Sequence, residues 1–123
     1  MAEGPKKILI AEDDKAMARA LNLKLTNAGF IVTSVYDGQE ALDVLNKEIF
    51  DLVITDLVMP KIDGFGILKG IHDKGLKIPV IVTSNLSQNE DETKAKQAGA
   101  TEYLIKSNTP IVKIVEHVQK ALS

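Results

Sequence analysis

Residues 52–64 read Leu-Val-Ile-Thr-Asp-Leu-Val-Met-Pro-Lys-Ile-Asp-Gly. Three β-branched residues in a row, Val53, Ile54 and Thr55, favour an extended chain. The run is continuously apolar rather than alternating, which suits a strand covered on both faces of a parallel sheet. It stops at Asp56, so that residue is expected at the very edge of a buried strand. Four more runs of the same kind flank it: Ile8–Ala11, Phe30–Val35, Ile78–Thr83 and Tyr103–Ile105.

Helical spacing fills the gaps between these runs. Met17, Leu21, Leu25 and Ala28 predict one apolar face, Ala41, Leu42 and Leu45 a second, and Phe65, Leu68 and Ile71 a third. Residues 88–99 predict a fourth helix, closed by Gly99, with only Ala95 and Ala98 facing inward. Ile111, Ile114, Val115, Val118 and Leu122 mark the last, with Thr109 as its cap and Pro110 in its first turn. Strand and helix therefore alternate five times, which predicts a parallel sheet with helices on both faces.

The 123 residues make one domain, and at 45% hydrophobic they can fill its core. Residues 1–5 read as a loose tail and 6–123 as the domain. Cysteine is absent, which excludes disulfides, thiolate metal sites and cysteine nucleophiles. The start, MAEGPKK, is too polar for a signal peptide. No run approaches the ~18 apolar residues of a membrane span, so no membrane insertion and a cytoplasmic location are expected. Net charge is −2, and Arg19 is the sole arginine. A nucleic-acid binder usually shows an arginine-rich basic patch, so no direct nucleic-acid contact is expected.

Open α/β sheets bind ligands beyond the carboxyl ends of their strands. The residues there are Glu12, Asp13 and Asp14 after the first run, Asp56 after the third, Thr83 and Ser84 after the fourth, and Lys106 after the fifth. Asp56 could be an ordinary turn aspartate, Thr83 an ordinary strand threonine and Lys106 an ordinary surface lysine. Grouped acids argue otherwise. If the first and third strands are neighbours, Glu12 and Asp13 crowd Asp56, and such carboxylates repel unless a cation sits among them. Hard oxygen ligands at a sheet edge suit Mg²⁺. Asp14 reads better as the cap of the first helix, leaving Glu12 and Asp13 as the ligand pair. Carboxylate, metal, hydroxyl and ammonium together describe a phosphoryl site with Asp56 as nucleophile. His72 and His117 fall on helices and read as surface residues.

ILIAEDD at 8–14, TDLVMPKIDG at 55–64, PVIVTS at 79–84 and AGATEYLIK at 98–106 resemble, in order and spacing, the receiver domain of two-component response regulators. The resemblance covers Lys7 to Leu122 and takes in Met59, Pro60, Asp63 and Gly64 after the acceptor. It implies a flavodoxin-like, doubly wound (βα)5 fold with strand order 2-1-3-4-5. It implies Asp56 as the phosphoacceptor, and Asp13, Asp56 and the Val58 backbone carbonyl as direct Mg²⁺ ligands, with Glu12 acting through a water. Thr83 and Lys106 would hold the phosphoryl group, and Tyr103 would be the switch aromatic, its ring moving inward as Thr83 is drawn to the phosphate. A histidine kinase or phosphotransfer protein would be the donor. A downstream protein would read the face made by the fourth helix, fifth strand and fifth helix. Such a chain is a phosphoacceptor that catalyses its own phosphorylation and slow dephosphorylation, not a free-standing enzyme.

Two departures bear on this. The family usually follows its lysine with proline in a cis bond, and here Ser107 follows Lys106. Val58, two past the acceptor, cannot orient a water, whereas Asn85, two past Thr83, can. The rival readings are a metal-dependent phosphohydrolase with an Asp nucleophile, a nucleotide-binding module and a degenerate receiver acting as a scaffold. The first needs a second acid where Val58 stands. The second needs a Gly- or Ser/Thr-rich phosphate loop where Glu12–Asp14 stand. The third sits poorly with a complete set of site residues.

Overall fold

The computed structural model describes residues 4–86 and 89–123. Five strands and five helices alternate: β1 (Lys7–Ala11), α1 (Lys15–Asn27), β2 (Ile31–Val35), α2 (Gly38–Lys47), β3 (Leu52–Asp56), α3 (Gly64–Asp73), β4 (Val80–Ser84), α4 (Asn89–Gln97), β5 (Glu102–Ile105) and α5 (Ile111–Ala121). All strands are parallel, in the order β2-β1-β3-β4-β5. This is the architecture the alternation predicts and the order the resemblance implies. Among the described residues no helix is long and apolar enough to cross a membrane.

The two-residue period of the strands divides the core into two layers. Leu9, Val53, Val80 and Val82 face Ala41, Leu45, Ile67, Leu68, Ile71 and Ala95, the inner sides of α2, α3 and α4. Ile8, Ile10, Leu52, Ile54 and Ile81 face Leu21, Leu25, Ile114 and Val118 of α1 and α5. β3 and β4 are buried along their whole length, whereas β2 at the sheet edge leaves Ile31 half exposed. Of the expected faces, Ala28 is corrected: it is exposed at the end of α1, where its N–H bonds back to Leu25.

Helix ends carry side-chain caps where the strands hand over. Asp14 accepts from Met17 N at 3.2 Å, Asp37 from Glu40 N at 2.8 Å and Asp63 from Gly66 N at 3.0 Å. The expected Thr109 cap is not made. Residues Lys106–Asn108 form a single 3-10 turn, Thr109 closes it, and Pro110 is the capping residue of α5 without a side-chain bond. A proline N-cap suffices because the last helix is held by Ile114 and Val118, both fully buried.

The predicted fourth helix is α4, ending at Gln97, with Gly99 at φ 114°, a left-handed conformation that glycine adopts without strain. Gln88, its expected first residue, lies outside the described residues. Ala95 is its one fully buried residue and Ala98, just past its end, is half-buried. The N-terminal tail expectation falls partly on residues 1–3, also outside the described residues. Lys6 already belongs to the fold, since its carbonyl accepts from Ile31 N at 3.0 Å.

Candidate functional site

The carboxyl ends of β1, β3, β4 and β5 converge on one cleft. Register sets Ala11 beside Thr55 and Asp56 beside Thr83, so Glu12 and Asp13 arrive next to Asp56. Asp56 is the last residue of β3 and only 7% exposed. Its Oδ2 accepts from Lys106 Nζ at 2.7 Å, and its Oδ1 from the Val58 N–H at 3.3 Å. Lys106 Nζ also lies 2.7 Å from Glu12 Oε1. One ammonium thus bridges two buried carboxylates.

Glu12 is the more deeply buried of the two, and its Oε2 accepts from the Asp14 N–H at 3.0 Å. Its Oε1 has the Lys106 charge at contact distance but lies off the angle of a hydrogen bond, leaving a buried oxygen with no directional partner. Burial pushes the Glu12 carboxyl above its ordinary 4.5, against the lowering pull of Lys106 and the Asp14 amide. Burial works against the Lys106 ammonium too, but Asp56 and Glu12 together overcome it and hold its pKa above the ordinary 10.5.

Carboxylate oxygens of Glu12, Asp13 and Asp56 lie within 4.8 Å of one another, with Asp13 exposed at the mouth. The donors are all hard oxygens, the set that Mg²⁺ takes. Three carboxylates and one ammonium sum to the charge that one divalent cation cancels. The orphaned Glu12 Oε1 is suited to a metal-bound water. On each of these grounds the residues fit a hard divalent cation.

Sequence reasoning found every charged member of this cleft but not what braces it. Gly64, at the start of α3, donates its N–H to the Leu57 carbonyl at 2.8 Å, and a Cβ there would meet the Asp56 carbonyl oxygen at 2.6 Å and Leu57 Cα at 2.9 Å. Only glycine lets α3 approach the Asp56 backbone this closely. The Thr55 hydroxyl donates to the Asp56 carbonyl at 2.9 Å. Lys61 in the same loop sits at φ 67°, a strained value for a residue with a side chain. The Asp-Gly pair at 63–64 was the available signal, a cap followed by a close approach.

Thr83 is 2% exposed, one strand over from Asp56. Ser84 turns away, its Oγ accepting from Leu86 N at 3.0 Å, and Asn85 is exposed. Tyr103 is already inward: the residue is 9% exposed and its hydroxyl donates to the Leu86 carbonyl at 2.7 Å. Every peptide bond of the described residues is trans, Lys106–Ser107 included, so serine is accommodated by the 3-10 turn and not by a cis bond. His72 is exposed as expected. His117 is not a plain surface residue, because its Nδ1 lies 2.7 Å from Glu102 Oε1 across α5 and β5.

A doubly wound sheet whose first, third and fifth strands end in this acid–acid–lysine cluster defines a flavodoxin-like protein with a phosphoryl-type site. The family model described as "Response regulator receiver domain" matches residues 8–119, and the chain belongs to that family. It is 34% identical to "Probable transcriptional regulator ycf27" of Porphyridium aerugineum over 96% of this chain and 51% of that protein. It is also similar in structure to the receiver domain of Francisella response regulator 1452 (TM-score 0.89, 31% identity, 95% of this chain and 96% of that one). Vibrio cholerae chemotaxis protein CheY4 has the same fold (TM-score 0.89, 26% identity, 97% and 100%). The chain spans about half the length of the curated relatives it matches. Those relatives are named as transcriptional regulators, which runs against the expectation of no direct nucleic-acid contact.

Proposed function

We propose that this receiver accepts a phosphoryl group on Asp56 and passes the signal on through a change of conformation. The observation that carries the proposal is the bridge of Lys106 across Asp56 and Glu12, 2.7 Å to each. It ties an acceptor carboxylate, an acidic pocket and a phosphoryl-pairing cation into one unit. A carboxylate oxygen of Asp56 attacks the phosphorus of a phosphohistidine on a histidine kinase or phosphotransfer protein. The new P–O bond forms, the P–N bond breaks, and the imidazole nitrogen keeps the electron pair and takes up a proton. Mg²⁺, held by Asp13, Asp56 and the Val58 carbonyl with Glu12 acting through a water, would offset charge on the phosphoryl oxygens. Lys106 exchanges its Asp56 contact for the phosphoryl group, and the Thr83 hydroxyl donates to a phosphoryl oxygen. The chain acts on itself, not on a pool of substrate.

The buried Tyr103 ring, tied to the β4–α4 loop at Leu86, supports that loop and α4 as the moving part. Little apolar area resists displacement of α4, since Ala95 is its one buried residue. A protein partner would read the α4–β5–α5 face. The names of the curated relatives support gene expression as a downstream output, and a cytoplasmic site fits a donor of this kind. The domain would run from residue 6 to 123, with residues 1–5 as a tail.

Incubation with Mg²⁺ and acetyl phosphate, read by intact mass, tests the reading. The wild type should gain one phosphoryl group and Asp56→Asn should gain none. Undiminished labelling of the variant, mapped to the same loop, would sink the assignment.

A further inference from the structure

We propose that the groove between α1 and the edge strand β2 is a binding site for a small organic anion, one carboxylate or phosphate on a flat apolar body. The groove is a cavity of about 310 Å³, at the small end of the range that takes small molecules. Its charged lining is cationic only, Lys15 and Arg19, and no carboxylate borders it. The whole of α1 carries no Asp or Glu, in a chain whose net charge is −2. Positive charge is therefore concentrated here against the trend of the molecule.

Arg19, the one arginine of the chain, makes no ion pair with any described residue. A guanidinium offers a planar fork of donors matched to carboxylate or phosphate. The polar side of the groove is ordered beforehand. The Thr26 hydroxyl donates to Asn22 Oδ1 at 3.1 Å, and Asn22 Nδ2 donates to Ser34 Oγ at 3.0 Å. That chain fixes the Asn22 amide and leaves its second N–H and the Ser34 hydroxyl proton free to donate. The apolar wall is Leu23, 59% exposed, and Tyr36, 38% exposed, with the Lys15 ammonium 5.0 Å from the ring centroid. Hydrogen-bond donors together with an exposed ring and leucine in one groove select an amphiphilic anion over a bare one. A metal is excluded by the lack of acidic ligands, and a volume of about 310 Å³ suits a small molecule better than an extended peptide.

The inference does not rest on the role of Asp56, so an Asp56→Asn variant should bind as the wild type does. The test is an amide NMR titration without Mg²⁺, using AMP, benzoate and inorganic phosphate as separate probes. AMP or benzoate should shift amides of residues 15–26 and 34–36, and Arg19→Gln should weaken that binding by about tenfold. Preference for AMP identifies a phosphate head, and preference for benzoate a carboxylate head. The proposal is overturned if no probe shifts these amides at millimolar concentration, or if the shifts centre on residues 12–14 and 56–58. Binding by Arg19→Gln that matches wild type also overturns it. So does inorganic phosphate binding as tightly as AMP, which would leave only a charged patch.

Discussion

Replacing Lys106 with Met should destabilise the protein by an amount that depends steeply on pH. The lysine side chain is 13% exposed, and the carboxylates it holds, Glu12 and Asp56, are 3% and 10% exposed. Removing one partner from a buried pair costs about 3–5 kcal/mol. Protonation of Glu12 caps that loss. At ~1.36 kcal/mol per pH unit, protonating a carboxyl of ordinary pKa 4.5 costs about 3.4 kcal/mol at pH 7 and about 0.7 kcal/mol at pH 5. The loss should therefore settle near ~3 kcal/mol at pH 7, roughly 10 °C in Tm for a domain of this size, and near ~1 kcal/mol at pH 5. The direction follows from linkage. Burial raises Glu12 in the folded state, so the stability drawn from its proton is complete below 4.5 and is lost as pH rises through the folded value. Without Lys106 its lowering pull on Glu12 vanishes and the window extends upward. The wild-type contribution of Lys106, raised above 10.5, is complete below that value and is lost only as pH rises past it, so it adds no slope between pH 5 and 7. Urea titrations of both proteins in EDTA at pH 5 and 7 measure this. A variant as stable as wild type at pH 7, or a loss equal at the two pH values, refutes the reasoning.

Mg²⁺ at ten times its Kd should raise stability by about 1.4 kcal/mol through the Glu12–Asp13–Asp56 cluster. Thermal melts should show the shift in wild type and lose it in Asp13→Asn, and an equal shift in both counts against the pocket. Gly64→Ala forces a Cβ to 2.6 Å from the Asp56 carbonyl oxygen, which should cost about 1–3 kcal/mol and slow acetyl phosphate labelling. Wild-type stability together with a wild-type labelling rate would contradict that close approach. Tyr103→Phe removes the bond to the Leu86 carbonyl and should cost about 0.5–1.5 kcal/mol, with faster amide exchange in residues 85–99. Unchanged exchange there would mean the hydroxyl does not hold the loop.

What was legible in the sequence is what one residue's neighbours along the chain decide. Continuous β-branched runs located five strands because the sheet is covered on both faces, and acids directly after β1 and β3 located the cleft because parallel strands end on one side. Asp14 was legible as a cap since a cap acts within three residues. The misses need the third dimension. Ala28 fits the periodic face of α1 but falls where the helix leaves the sheet. Thr109 has the chemistry of a cap, yet the chain spends it closing the 3-10 turn after Lys106. His117 meets Glu102 across two elements 15 residues apart, and nothing local marks that pair. Tyr103 could be stable wet or buried by its chemistry alone, and the Leu86 carbonyl decides for buried. The α1–β2 groove was invisible for the same reason: Lys15 and Arg19 look like ordinary cations until β2 brings Ser34 and Tyr36 beside them.

The strain of the cleft is also what makes it usable. A sheet end that buried only Glu12 and Asp56 would repel itself, and Lys106 relieves this at the cost of occupying Asp56 Oδ2. The relief is incomplete, because Glu12 Oε1 keeps a charge at contact distance without a hydrogen bond and its carboxyl stays above its ordinary pKa. Such a triad is poorly matched at rest and gains from any further positive charge that lets Lys106 release Asp56. A hydrophobic cluster in the same space could be as stable, but it would have no second arrangement to adopt. The stability given up at the cleft is carried by the two apolar layers beneath it, where Ile8, Leu9, Ile81 and Ile114 are fully buried. Rigid core and frustrated edge meet at Gly64, where the start of α3 packs directly against the Asp56 and Leu57 backbone.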